Sequence, residues 1–428
     1  MRTTKCASIV AGCVVLILFG LLTMDWFFLI FITPLLIFLF IGVIFFHSRD
    51  INIEVTRSLS NIKVFENDNV EVILKLRNRG TTIDFLEIYD TLPDKVIIAK
   101  GSNYSALNLK KNEEIVIKYE ISCPLRGHYA VGPLCFRVRD HFYMFYKETI
   151  LDNPSELTVI PQIEEIGDIS VKAKANPYPG IMQAKQAGTG TEFFGLRTYV
   201  TGDTFKRINW KSFARFNNLM VNEFELESTT DVIILLDARN IQGIGTLKHN
   251  PLEYGIKAAV SITSHFLKRR DRVGLVAYGK SEGQLRWVYP ESGKKQLFKI
   301  IGELVEVQAD GNFPLGAVIN EAATYMLPKK SLIVFISSLE EDWSIPEAME
   351  HLIALGFNVI VLSPSPIDIE YSIYPTDANY KLAHRLLSFD RRNFIAKLRN
   401  SGARVVDWNP TLPLALSLKE VERYQIRR

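Results

Sequence analysis

The sequence has only four cysteines in 428 residues, and their positions exclude most of what cysteines do. Cys6 and Cys13 lie in or beside an apolar run at the start, leaving Cys123 and Cys135 further on. Neither has a paired ligand beside it, so no zinc spacing is present. A disulfide between them would need an oxidising compartment, and reduced thiols are the expectation. Histidine is equally unhelpful to chemistry: His47, His128, His141, His249, His265, His351 and His384 are scattered. There is no H-E-x-x-H, no Cys/His nucleophile motif, and Gly188-Thr189-Gly190 is not followed by a P-loop lysine. An excess of one charge is also missing. The net charge is +3, which gives no case for a nucleic-acid partner. These absences predict a protein without cofactor or catalytic centre, although a nucleophile and base brought together only by folding leave no mark in one sequence.

What the chain does have is apolar length. Ala7–Met24 and Trp26–Phe46 are uncharged runs separated by Asp25. A helix needs roughly 20 residues to cross the hydrocarbon core; the second run meets that length and the first falls within the usual range. A signal peptide is the competing reading, since Arg2 and Lys5 form a charged start, but no polar region with a small-residue cleavage site follows. The expectation is a transmembrane hairpin over 1–48, with spans at 7–24 and 26–46. Arg2 and Lys5 precede it and His47 and Arg49 follow it, so the positive-inside rule places both ends in the cytoplasm. The predicted molecule is a two-pass cell-membrane protein with its soluble domains facing inward and the lipid bilayer as its first partner.

The remaining length allows two or more domains with proper cores. Residues 50–160 alternate with period two, as in Val70–Leu76 and Ile115–Tyr119, between turn residues, predicting a small β-sandwich. From Asp152 to Gly190 turn residues dominate, including Asn176-Pro-Tyr-Pro-Gly180, and an extended linker is expected within 161–228. Residues 229–428 alternate apolar strands with amphipathic stretches. The strands are expected at Val232–Leu236, Val273–Tyr278, Leu285–Tyr289, Leu332–Ser337, Val359–Leu362 and Arg404–Val406. Helices are expected at 252–270, 294–307, 315–327, 346–355 and 378–401. That alternation predicts a mainly parallel sheet covered on both faces, with Leu285–Tyr289 an antiparallel edge.

Between the β region and the sheet, Gly188–Glu227 runs GTGTEFFGLRTYVTGDTFKRINWKSFARFNNLMVNEFELE and leads into Asp231–Asp237, DVIILLD. The order of Glu192, Phe193, Leu196, Arg197, Tyr199, Gly202, Asp203, Arg207, Trp210, Ala214 and Arg215 closely resembles the signature of the family called domain of unknown function 58. Leu125–Tyr146 resembles that family's RG.Y..GP….RD.F stretch, and packing is the expected role of its aromatics. The resemblance implies a membrane-anchored multidomain protein: hairpin, β-sandwich, then a Rossmann-like α/β domain similar to a von Willebrand factor type A domain. It also implies association with a MoxR-type AAA+ ATPase.

In type A domains that bind metal, the first strand leads into Asp-x-Ser-x-Ser, completed by a threonine and a later aspartate. Here the loop reads Asp237-Ala238-Arg239-Asn240-Ile241. Arg239 and Ile241 stand at the serine positions, and the threonine's place falls near Gly311-Asn312-Phe313, without a hydroxyl. Ser338, Glu340, Glu341 and Asp342 follow the later strand, and one carboxylate, Asp237, is expected to survive. A degenerate metal site is the expectation, because a guanidinium repels a cation and isoleucine offers no oxygen. Asp237 then either pairs with Arg239 or caps a loop amide, or the Asp237/Arg239 pair meets an acidic group of a partner.

The signature segment carries the other candidate interaction residues. Asp203 precedes a helix-like stretch whose free amides it could accept from. Arg207, Lys211 and Arg215 recur every four residues and are expected on one helical face. That stripe is either solvated, paired with Glu223, Glu225 or Glu227, or turned to an acidic partner or an anionic leaflet. Trp210 is expected to pack this segment on the α/β domain. The combined expectation is a non-enzymatic, membrane-anchored interaction or assembly factor. Its rivals are an outward-facing adhesion module and a hydrolase using Asp237 and Asp203.

Overall fold

Residues 4–24, 27–47, 51–140, 143–167, 187–225, 230–280, 285–325, 328, 331–340, 342–373 and 378–419 are described by a computed structural model. The chain divides into two compact units, Met1–Gln162 and Ile163–Arg428.

The first unit begins with two apolar helices in mutual contact, α1 (Thr4–Thr23) and α2 (Phe27–His47). α1 is long and apolar enough to cross a membrane, and the described side chains of α2 give an apolar stretch over Ile30–Ile44. Arg2, Asp25 and Arg49, which set the expected orientation, lie outside the described residues. Eleven strands follow: β1 (Ile53–Leu59), β2 (Lys63–Phe65), β3 (Asn69–Asn78), β4 (Ile83–Asp90), β5 (Ile97–Lys100), β6 (Tyr104–Leu109), β7 (Glu114–Ser122), β8 (Gly127–Val131), β9 (Leu134–Arg139), β10 (Tyr146–Leu151) and β11 (Ser155–Ile160). They form sheets in the orders β1-β3-β7-β5, β10-β9-β4-β6 and β2-β11-β8. Alternate residues of β3 (Val70, Val72, Leu74, Leu76) enter one core with Ile88, Phe136 and Leu157, so three sheets close around it where two were expected.

Two features tie this unit together. Asp90 is buried and takes hydrogen bonds from Arg57 of β1 (Nη2, 2.5 Å; Nε, 3.1 Å) and from the Tyr119 hydroxyl of β7 (2.6 Å). Arg57 also donates to the carbonyls of Val131 and Asn153, so one guanidinium satisfies groups from several strands. Burial first, and then the Asp90 carboxylate, raise the Tyr119 hydroxyl far above its ordinary pKa. The second feature is an apolar cluster in which Met144 and Phe145, from the turn before β10, meet Cys6 and Ile9 of α1 and Phe38 and Leu39 of α2. Gly42 permits that approach, since a Cβ there would lie 3.1 Å from the Phe145 ring.

The expected linker over Asp152–Gly190 is corrected at both ends. Ser155–Ile160 forms β11, with Leu157 and Val159 buried, and Ala187 opens another strand. Asn153-Pro154 and Pro161 flank β11 closely enough to read as turn. The Asn176–Gly180 stretch lies outside the described residues.

In the second unit, β12 (Ala187–Thr198) pairs antiparallel with β13 (Met220–Glu225). Between them lie a 3-10 turn, Phe205–Arg207, and α3 (Trp210–Phe216). The order then runs β14 (Asp231–Asp237), α4 (Pro251–Lys268), β15 (Arg272–Tyr278), β16 (Arg286–Glu291), α5 (Lys294–Glu306) and α6 (Leu315–Tyr325). It continues β17 (Leu332–Ile336), α7 (Ile345–Ala354), β18 (Asn358–Pro364), α8 (Pro366–Ile373), α9 (Ala378–Asn400) and β19 (Arg404–Trp408). One six-stranded sheet results, in the order β16-β15-β14-β17-β18-β19, parallel except for β16. β14, β17 and β18 are buried almost throughout, as strands covered on both faces must be. α8 was not expected; it is short, and its amphipathic pattern is weak. Residues 326–327 of the predicted third helix lie outside the described residues.

Candidate functional site

In an open parallel sheet the carboxyl ends of the strands form the natural ligand crevice. Asp237 ends β14, in the middle of the sheet. Its Oδ1 accepts from the backbone N–H of Arg239 (3.1 Å) and from Arg239 Nε (3.0 Å). Its Oδ2 accepts from Arg239 Nη2 (2.7 Å), Ser337 Oγ (2.8 Å) and Gln242 Nε2 (2.9 Å). The remaining arm of the guanidinium, Nη1, lies 3.1 Å from Asp342 Oδ2. Asp342 in turn accepts from the Leu315 N–H at the start of α6 (3.0 Å) and from the Ser344 N–H (2.9 Å). Asp237 is 1% exposed and Arg239 3%.

Burial disfavours a charged Arg239, but its hydrogen bonds to Asp237 and the fields of Tyr278, Asp237 and Asp342 outweigh it, and its pKa is raised. The Tyr278 ring lies 6.0 Å from the guanidinium carbon. Burial first, and then Asp237, raise its hydroxyl well above the ordinary tyrosine value.

The loops around this triad are sewn together through the backbone. Ala238 donates to Tyr278 (2.7 Å), Asp310 to Ala238 (2.9 Å), Asn240 to Gly311 (2.8 Å) and Phe313 to Gly279 (3.1 Å). The arrangement does not fit a divalent cation. A hard cation needs several oxygens around it, whereas here a guanidinium lies between the two carboxylates and Ile241 brings no donor. Among the described residues no group of three or more His, Cys, Asp or Glu is placed to hold a metal. The expectation of one surviving carboxylate is corrected to two. Asp342 comes from beyond β17, and the neighbouring Ser337–Asp237 bond closes over 100 residues, a separation no local pattern reveals. Glu341 lies outside the described residues.

The signature segment also departs from expectation. Asp203 does not cap a helix. It is held by Arg197 (Nη1, 2.7 Å; Nη2, 2.6 Å) and accepts from the Val200 N–H (3.0 Å) in the turn leaving β12. The Arg197 hydrogen bonds, helped by the Val200 amide, lower its pKa to about 2. Asn209 is the cap, its Oδ1 accepting from the Ser212 N–H (3.0 Å). Arg207, Lys211 and Arg215 do not share one helical face. Arg207 ends the 3-10 turn, Ile208 bridges to Val221 of β13, and the helix starts only at Trp210. Lys211 and Arg215 alone keep the four-residue spacing within α3. Trp210 is not buried against the α/β domain; it is 60% exposed and meets Phe213 edge-on at 6.3 Å. The side chains of Glu223 and Glu225, and all of Glu227, lie outside the described residues. Asp203 and Asp237 are not brought together: each is held by its own arginine.

Residues 195–362 match the profile of a family described as "Protein of unknown function DUF58". That span of the chain is similar to DUF58. The match bears out the resemblance seen at Leu196–Arg215 and extends it into β18. A relative is the "Uncharacterized protein YeaD" of Bacillus subtilis (strain 168), 21% identical over 314 residues, covering 71% of this chain and 73% of that one. Two solved structures show slight likeness. An aerotolerance-related membrane protein from Bacteroides fragilis is 22% identical, covering 31% of this chain and 67% of that one, with a TM-score of 0.24. A CARDB domain from Pyrococcus furiosus, solved with di-metal ions, is 16% identical, covering 27% and 96%, with a TM-score of 0.18.

Proposed function

We propose that this protein is a non-enzymatic, membrane-anchored protein-interaction or assembly factor. In this reading α1 and α2 form a two-pass hairpin in the cell membrane, and the β unit and a von Willebrand type A-like domain stand in the cytoplasm. Support for the hairpin comes from Cys6 and Ile9, early in α1, and Phe38 and Leu39, late in α2, which belong to one apolar cluster with Met144 and Phe145, as antiparallel helices require. Support for the type A-like reading comes from the central first strand, the antiparallel edge strand β16 and the aspartate ending β14.

The observation that carries the proposal is the Arg239 guanidinium buried between Asp237 and Asp342. It supplies a fixed positive charge where a metal-dependent module would hold a cation. Recognition by such a domain is then independent of metal. The neutralised carboxylates also disfavour hydrolysis, because neither Asp237 nor Asp203 is free to act as a base. The partner proposed from the family resemblance is a MoxR-type AAA+ ATPase.

The test is a melting-temperature titration of the detergent-solubilised protein with magnesium, manganese or calcium. No change is expected. A ligand at 100 times its dissociation constant would add about 2.7 kcal/mol, so binding could not pass unseen. A saturable rise that disappears in Asp237→Ala would overturn the metal-independent reading.

A further inference from the structure

The segment between β12 and β13 exposes apolar side chains that a soluble surface normally hides. Phe205 is 74% exposed, Trp210 60% and Phe216 66%, and Val200, Phe213 and Leu219 are exposed beside them in sequence. Single exposed apolar residues need no explanation, but a concentration of them marks an interaction site. Within α3, Ser212 faces inward, while Trp210 and Phe213 stack edge-on in one row. At 100° per residue Lys211 and Arg215 fall beside that row, between it and the buried side. Lys206, in the 3-10 turn, and Lys211 and Arg215 are all exposed. The acid of this segment with a described side chain, Asp203, is already neutralised by Arg197.

An aromatic row edged by lysine and arginine has the chemistry of a surface that enters the headgroup region of an anionic bilayer. The rings partition at the headgroup level and the cations meet lipid phosphates. A protein groove would take up the rings equally well, but to match the cations it would have to be acidic as well as apolar, whereas an anionic bilayer offers both by its composition. The chain also carries its own tether in α1, so a bilayer is present at high effective concentration. We propose that this segment, through Phe205, Lys206, Trp210, Lys211, Phe213 and Arg215, docks on the anionic surface of the membrane that anchors the chain. The inference rests on the membrane-anchored reading above, and it adds a second, reversible contact that holds the DUF58 segment against the lipid.

The test uses the full chain reconstituted into vesicles of phosphatidylcholine, with or without phosphatidylglycerol, containing lipids with a quencher near the headgroup. A fluorophore is attached at Asn218→Cys, an exposed position next to the patch, and in a control at Ser292→Cys, exposed between β16 and α5. Quenching is expected at 218 in the anionic vesicles, weaker without anionic lipid or at high salt, and absent at 292. Each cation near an anionic surface is worth about fivefold in partition, so Lys206→Glu/Lys211→Glu/Arg215→Glu together should reduce docking by about a hundredfold or more. Retention of the chain after alkaline washing is scored in parallel. Loss of the chain on washing overturns the anchor itself. A retained chain with no quenching at 218 overturns the docking proposal and makes a protein the occupant of the face.

Discussion

Arg239 decides the character of the crevice because it cannot lose its charge and cannot leave. Both of its carboxylate partners are buried, and its five donors form a planar fork that lysine does not reproduce. Removing one member of a buried ionic group leaves the others uncompensated. Arg239→Ala should therefore cost about 3–5 kcal/mol, and Arg239→Lys less, read as the shift in urea unfolding of the detergent-solubilised chain. A loss under about 1 kcal/mol for the alanine variant would show that water reaches Asp237 and Asp342 readily. Asp203 poses a different case at the same scale. Its folded pKa of about 2 lies below the ordinary 3.8, with the Arg197 hydrogen bonds as the main cause. The sign follows: the stabilisation is complete above the unfolded value and disappears as pH falls through about 2. A carboxyl-carbon titration by NMR should find that low midpoint, and Arg197→Ala should move it up toward 3.8. An unchanged midpoint would remove Arg197 as the cause.

At the scale of elements, the α/β alternation was legible because each strand is a short apolar run between amphipathic stretches, so β14 to β19 were expected close to their actual places. α3 was not legible in the same way. Arg207, Lys211 and Arg215 have the spacing of a helix, but Ile208 is claimed by β13 and Asn209 by its role as a cap, so tertiary pairing overrides a local period. β11 was hidden by prolines on both sides. The loops over the sheet depend on glycine in a way the sequence does not announce. Gly311 has φ +72°, and a Cβ there would lie 2.2 Å from the Gly279 carbonyl oxygen. Gly293 has φ +95° but open space around it. Both alanine variants bear the strain of a positive φ, which at Gly293 (ψ 174°) is that of a region essentially confined to glycine, and Gly311→Ala bears the close approach in addition. Gly293→Ala should cost about 1–3 kcal/mol and Gly311→Ala clearly more in thermal unfolding. Equal losses would mean that the Ala238, Gly279 and Gly311 loops are free to separate.

At the scale of the whole molecule, the membrane-anchored proposal predicts which side of the membrane the two units occupy. The positive-inside argument uses Arg2, Lys5, His47 and Arg49 and predicts the cytoplasm for both. Sequence alone offers the native cysteines as reporters, but the fold makes one of them a poor one. Cys123 is buried in the β core, and burial pushes its thiol pKa up to about 11, so little reactive thiolate forms at neutral pH. Exposed positions serve better. Ser102 lies between β5 and β6 in the first unit, and Ser292 between β16 and α5 in the second. Ser102→Cys and Ser292→Cys should each react with a membrane-impermeant maleimide only after the membrane is opened, with labelling compared against the parent chain. A crossing between the units would separate the two reporters, since one would react in intact cells and the other would not. Reaction of both in intact cells would reverse the topology. An outward-facing adhesion module would then replace the cytoplasmic assembly factor, and a MoxR-type ATPase could no longer be the partner.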